Sequence, residues 1–306
     1  MGLEQGRWEK AMIKIEDAHD LAKLNSGTLS KQKTPLAIGQ LEMALLKRFP
    51  RKDAEPWDRM GLVVGDPAAL VTGVAVALDP TPAAVQAAVR AKANVLLTHH
   101  PAFIDAPESF SCSYDVAPYA GVSVYTAIQN GVALMNVHTA LDASVEATRL
   151  FPKLMNLDFQ RLLMPLAHDD NKGYAMLCAV RDTDAPFRLS HLAARATSVF
   201  GRPPRVWGDF DDVMERVVIA NGGAGDMVQV CLDAHVDCLV CGELRYHVAL
   251  AASQAGLAVV ELGHDVSEFP LCALLAQAAR DAGVASESVT VVDQSDNWRY
   301  PDATRV

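Results

Sequence analysis

Three short stretches carry imidazoles and carboxylates in the same setting. NVLLTHHP, residues 94–101, runs an apolar segment into His99 and His100. VALMNVHTALD, residues 132–142, does the same with His138 and, four residues on, Asp142. VVELGHDVSE, residues 259–268, leads to His264 and, four residues on, Glu268. Each apolar run reads as a buried strand, so six metal-capable side chains fall at or just beyond three strand ends. In an open parallel sheet, ligands bind beyond the carboxyl ends of the strands. Imidazole and carboxylate together suit Zn, Fe, Mn or Co. A lone strand-end histidine is ordinarily a capped or solvated side chain. Six such groups at three equivalent places, in a chain with nine histidines, favour a metal centre. They exceed the need of one tetrahedral ion and match two ions sharing a bridging carboxylate, as in two-metal hydrolytic sites. Adjacent strand residues point to opposite faces, which predicts that His99 and His100 lean toward different ions.

The scaffold for these ends reads as α/β. VTGVAVALD, residues 71–79, is a β-branched strand, and Thr81 and Pro82 give the cap and first turn of a helix over 82–92. NVLLTH is the next strand, so the segment forms a parallel βαβ unit. The pattern continues with a helix near 117–129 and a strand at 132–139. It recurs with a helix at 244–255, a strand at 257–262 and a helix at 267–281. A helix over 36–48 opens the globular body. Residues 153–215, with KGYAMLCAV, a helix near 189–199 and the turn-rich RPPRVWGDFDD, read as part of a second, smaller α/β unit. A metal–ligand bond is only about 2 Å long, so His264 and Glu268 must come close to His99 and His100. The strand at 257–262 is therefore expected in the sheet whose strands end at His99 and Thr139. The metal-binding domain would then be discontinuous, 36–150 with 260–306, around a second domain at 151–259. Residues 1–35, with an amphipathic helix at about 7–24, read as an N-terminal extension.

Composition bounds the function classes. The chain has 306 residues, 50% hydrophobic and 21% charged, enough for two medium domains. A net charge of -10 argues against nucleic-acid or anionic-membrane binding, which needs clustered Lys and Arg. No apolar run reaches the roughly 18 residues of a membrane span, and the mixed-charge start lacks a signal-peptide core. Cys112, Cys178, Cys231, Cys238, Cys241 and Cys272 are scattered, as suits reduced thiols in a cytoplasmic protein. Cys238 and Cys241 form a C-x-x-C inside a strand-like run and read as core packing. NGGAGD, residues 221–226, could bring backbone amides to an anion, but it lacks G-x-G-x-x-G spacing, and tight packing weighs at least as much. In GELRYH, residues 242–247, Glu243 and His247 are candidates to support the ligands from behind or to contact substrate, with a plain surface role as the equal alternative. Arg245 is a candidate substrate contact. Trp57 and Asp58 read as structural.

THHP, HTALD and GHDVSE, in that order, resemble the Nif-three-like family of dinuclear-metal proteins, whose members are named GTP cyclohydrolase type two homologues. WDRMGLVVGD at 57–66, NGGAGD and CGELRYH extend the resemblance over about residues 36–300. The resemblance implies that His99, His100, Asp142, His264 and Glu268 bind two divalent ions, with Glu268 bridging and His138 beside the pair. It also implies two similar α/β domains and a toroidal homo-hexamer whose metal sites face an internal cavity. Ala140 stands where the family usually has Asn, and Asp265 where an aromatic is common; neither change removes a ligand. The implied function is a dinuclear-metal hydrolase acting on a nucleotide such as GTP, by cyclohydrolase-type ring opening, or on another phosphate-bearing small molecule. The alternative is a non-enzymatic metal-handling or regulatory interaction protein. The two differ in whether the ions keep open coordination positions.

Overall fold

VAVA, VLLT, ALMN, CLVC and AVVE are each buried along their whole length. Strands buried on both faces need helices on both faces, which is the parallel α/β solution. The computed structural model describes residues 35–298 apart from 114–119, 182, 184–185 and 296. The expected helix at 7–24 lies outside the described residues. The described residues divide into two compact units, one of 35–139 with Leu274 onward, the other Ala140–Ala273.

The first unit contains Ile38–Arg48 (α1), Gly61–Val64 (β1), Val74–Ala77 (β2), Pro82–Arg90 (α2), Val95–Thr98 (β3), Ala120–Gln129 (α3) and Ala133–Asn136 (β4). The four-residue helix Thr139–Asp142 (α4) follows, and Val289–Val291 (β11) returns to the same sheet. Strand order among the described residues is β1-β4-β3-β2-β11. β11, β2, β3 and β4 are parallel, and β1 runs antiparallel along β4. Thr81 caps α2 by accepting the Ala84 N–H at 3.1 Å, and Pro82 fills the first turn. The small residues Ala84 and Ala88 let α2 lie close to Ala75, Ala77 and Leu96 of the sheet.

The second unit contains Val145–Leu154 (α5), Asp158–Leu166 (β5), Asp169–Ala179 (β6), Leu189–Phe200 (α6), Arg205–Trp207 (β7) and Arg216–Ile219 (β8). Val228–Asp233 (α7), Cys238–Cys241 (β9), Tyr246–Gln254 (α8), Ala258–Glu261 (β10) and the start of His264–Asp281 (α9) follow. Strand order is β5-β6-β8-β9-β10-β7. β8, β9 and β10 are parallel, with β7 antiparallel along β10 and the β5–β6 hairpin antiparallel along β8. The series α1-β1-β2-α2-β3-α3-β4-α4 thus repeats the order of α6-β7-β8-α7-β9-α8-β10-α9. No helix among the described residues is long and apolar enough to cross a membrane.

One expectation is corrected. The strand expected at 257–262 is β10, and it does not join the sheet of β3 and β4. Its residues pair in parallel with Cys238–Cys241 and antiparallel with Arg205–Trp207. α8 is a short crossover from β9, and strands joined by such a connection pair with each other. The place beside β2 is taken by β11.

A buried carboxylate ties the second sheet's edge together. Glu261 is 4% exposed. It accepts from Arg205 Nε and Nη2 at 2.6 Å each, from Trp207 Nε1 at 2.6 Å and from the Leu244 N–H at 3.0 Å. Burial pushes this carboxyl up, but the donors outweigh it and hold it below the ordinary 4.5. Stability from a depressed carboxylate is present above the unfolded value and is lost as pH falls through the folded one. Glu261→Gln should therefore cost about 2 kcal/mol at neutral pH, and the deficit should shrink below pH 4.5. Denaturant unfolding at neutral and acid pH measures this; an equal deficit at both would refute it.

Candidate metal centre

β3 ends at Thr98 and β4 at Asn136, and the imidazoles follow at once. In the first unit, His99, His100 and His138 each offer a ligand atom, all within 4.8 Å of one another. The ring centroids are 5.0 Å apart for His99 and His100, 5.2 Å for His99 and His138, and 5.6 Å for His100 and His138. The pleat stops at Thr98, whose hydroxyl donates to the His100 carbonyl at 2.7 Å and closes a turn.

Each of these rings is held from behind through Nδ1. The acceptor is the Val137 carbonyl for His99 at 3.3 Å, Asp79 Oδ1 for His100 at 2.7 Å and Asp58 Oδ1 for His138 at 3.0 Å. A ring donating from Nδ1 keeps its lone pair on Nε2, the arrangement typical of metal-ligating histidines. Asp58 is locked in turn: its Oδ2 accepts from the Thr139 N–H at 3.0 Å and the Thr139 hydroxyl at 2.5 Å. Burial pushes the Asp58 carboxyl up, but hydrogen bonds from His138 and Thr139 outweigh it and hold it below its ordinary value. Trp57 stands edge-on to His138 at 5.8 Å with about half its surface open, at 53%. Asp58, read from sequence as structural, thus orients a candidate ligand. Asp79 was not singled out; its signal was a carboxylate just past the end of the strand beside β3.

In the second unit, α9 begins at His264, earlier than expected, so His264 and Glu268 share one helical face. His264 Nε2 lies 3.0 Å from Glu268 Oε2, and its Nδ1 lies 3.1 Å from Glu243 Oε1. Asp142 and Glu268 offer ligand atoms within 4.8 Å of each other, as do His264 and Glu268. Asn221, a further residue not singled out, donates from Nδ2 to Asp142 Oδ1. Glu268 is 4% exposed and packs against the Gly-rich turn. Gly222 has φ +62°, and a Cβ there would stand 2.2 Å from Glu268 Oε1. Its N–H donates to Ser267 Oγ at 2.9 Å, and that hydroxyl donates to the His264 carbonyl at 2.8 Å. Close approach to Glu268 therefore accounts for this glycine without a phosphate.

The remaining candidates fall outside these groups. Arg245 is exposed at the N-cap of α8. His247 is exposed, with its ring edge-on to Tyr246 at 5.2 Å, and is in no metal-capable group among the described residues. Asp265 is engaged by the Arg202 fork at 2.8 and 2.9 Å, so it is not an open acid. Cys238 and Cys241 lie buried in β9, where burial pushes both thiols up, away from the thiolate that metal or redox chemistry needs.

The three imidazoles of the first unit, and the imidazole and two carboxylates of the second, are each of a donor type that suits Zn, Fe, Mn or Co. A Streptomyces coelicolor "GTP cyclohydrolase 1 type 2 homolog" is 30% identical over 242 residues, 78% of this chain and 83% of that one. A Clostridium acetobutylicum protein of the same name is 26% identical over 220 residues, 71% and 79% of the two chains. Among solved structures, a Bacillus cereus protein related to NIF3 superposes with a TM-score of 0.76 at 16% identity, covering 88% of this chain and 100% of that one. A Staphylococcus aureus hypothetical protein superposes with a TM-score of 0.74 at 22% identity, with the same coverage. Residues 36–297 match DUF34/NIF3, the NGG1p interacting factor 3 family, and the chain belongs to that family.

Proposed function

We propose that this protein is a dinuclear-metal-dependent hydrolase of a phosphate-bearing small molecule, with a nucleotide such as GTP as the first substrate to test. The observation that carries this reading is the set of three imidazoles, each held through Nδ1, with ligand atoms within 4.8 Å of one another. His99, His100, Asp142, His264 and Glu268 would hold two divalent ions, with His138 beside them. A bridging role for Glu268 is supported by the proximity of both Asp142 and His264 to its carboxylate. Two such ions supply Lewis acidity and make a water nucleophile available near neutral pH. The chain's own groups orient and balance charge. Asp79 and Asp58 hold imidazoles, Asn221 holds Asp142, and Glu243 accepts the His264 Nδ1 proton. Arg245 offers a guanidinium for phosphate charge. Assembly as a cytoplasmic homo-hexamer belongs to the same reading and rests on the family resemblance.

Protein purified without chelator should contain about two divalent ions per chain and hydrolyse at least one member of a nucleotide and phosphoester panel. Zero or one ion in metal-replete protein would overturn the dinuclear reading, and two ions with no turnover would favour a metal-handling role. Glu268→Gln should lower metal content far more than Glu243→Gln, because the first removes a direct ligand and the second a partner of one. Elemental analysis of both variants tests this, and equal losses would mean the roles are misassigned. Gly222→Ala should reduce metal content by displacing Glu268, since its methyl needs the space that Oε1 occupies. Full metal content in a folded Gly222→Ala variant would contradict that account.

A further inference from the structure

The C-terminal segment after β11 reaches back to the ligand-bearing end of the first sheet. β11 keeps its ladder with β2 as far as the Val292 N–H, which donates to the Val76 carbonyl at 2.7 Å. Beyond that point β2 still has Leu78 and Asp79 to satisfy on this side. Gln294, 8% exposed, takes the place of the missing strand. Its Oε1 accepts the N–H groups of both Leu78 and Asp79 at 2.9 Å, and its Nε2 donates to the Asp79 carbonyl at 3.0 Å. On the other side, the Leu78 carbonyl accepts from the His100 N–H at 2.9 Å. The chain cannot continue the ladder itself, because Thr81 and Pro82 begin α2 immediately.

We propose that Gln294 is a positioning residue for His100. It acts through Asp79. By saturating the backbone on both sides of the Asp79 Cα, one amide sets the direction in which the carboxylate leaves the chain. That carboxylate meets His100 Nδ1 at 2.7 Å and fixes the ring's tautomer and tilt. Gln294 is 215 residues from Asp79 in the chain, so the end of the sequence controls a ligand near its first third. A glutamine suits this job because its carboxamide offers an acceptor for two N–H groups and a donor for the carbonyl from one planar group. This inference rests on the metal-centre reading for its functional meaning, but the geometry it concerns exists without metal.

The test uses the full chain, stripped with chelator and labelled with ¹⁵N-histidine, at a pH where the rings are neutral. The variants are Gln294→Met, Gln294→Glu and Asp79→Asn. In the parent, His100 should be in the Nδ1–H tautomer. In Gln294→Met that population should fall while His99 and His138 stay unchanged. On titration with zinc, Gln294→Met should bind about tenfold more weakly, and the double variant with Asp79→Asn should be no weaker than Asp79→Asn alone. Gln294→Glu keeps the acceptor for both N–H groups and should fall between parent and Met variant; it carries the test if the Met variant does not fold. An unchanged His100 tautomer in a folded but less stable variant would overturn the proposal. So would equal changes at all three histidines, or losses that add in the double variant. If the parent takes up no zinc, the metal-centre reading falls, while the tautomer measurement still decides the role of Gln294.

Discussion

An imidazole presents one nitrogen reliably only when the other is already engaged. Most of the first unit can be read as a means of meeting that condition three times within a few ångströms. β3 and β4 end side by side, so His99, His100 and His138 emerge together. The acceptors must then come from behind: a carbonyl just past the end of β4, a carboxylate just past β2, and a carboxylate from the segment before β1. Asp58 reaches His138 only because Thr139 grips its other oxygen from the first residue of α4. Shifting any one of these strands by a residue would turn an acceptor away from its ring.

The parts visible in sequence are those with local signatures. An apolar run that stops at a histidine marks a strand end, Thr81–Pro82 marks a helix start, and His-x-x-x-Glu marks a shared helical face. The supporting partners have no such mark. Asp58 lies 80 residues from His138, and Asn221 lies 79 from Asp142, so only the fold brings them together. Asp79, at 21 residues from His100, is nearer, but a carboxylate just past a strand is common in any α/β chain. The sheet membership of β10 was misjudged because a demand for proximity between ligands was turned into a demand for a shared sheet. Local pairing with β9 across α8 is the stronger rule.

The two units share an order of elements but not a donor chemistry. In each, the third parallel strand leads into a histidine with an acid four residues on in the chain, His138 with Asp142 and His264 with Glu268, and both acids belong to the second unit. At the end of the second strand they diverge. β3 delivers two imidazoles, whereas β9 delivers Gly242 and Glu243. The first unit is therefore rich in nitrogen donors and the second richer in oxygen. Under the proposed metal-centre reading, a mixed set of this kind would suit borderline cations rather than the softest or the hardest.

Because each ring of the first unit is clamped by the chain's own groups, the entropy of aligning it is settled when the chain folds. Small zinc modules are the opposite case, where the ion is the reason the chain folds at all. Here the clamps are the chain's own carbonyl and carboxylates, so the rings are aligned by folding itself. Under the proposed metal-centre reading, the cost of losing and regaining an ion would fall on the ion alone, and the cation carried would follow supply.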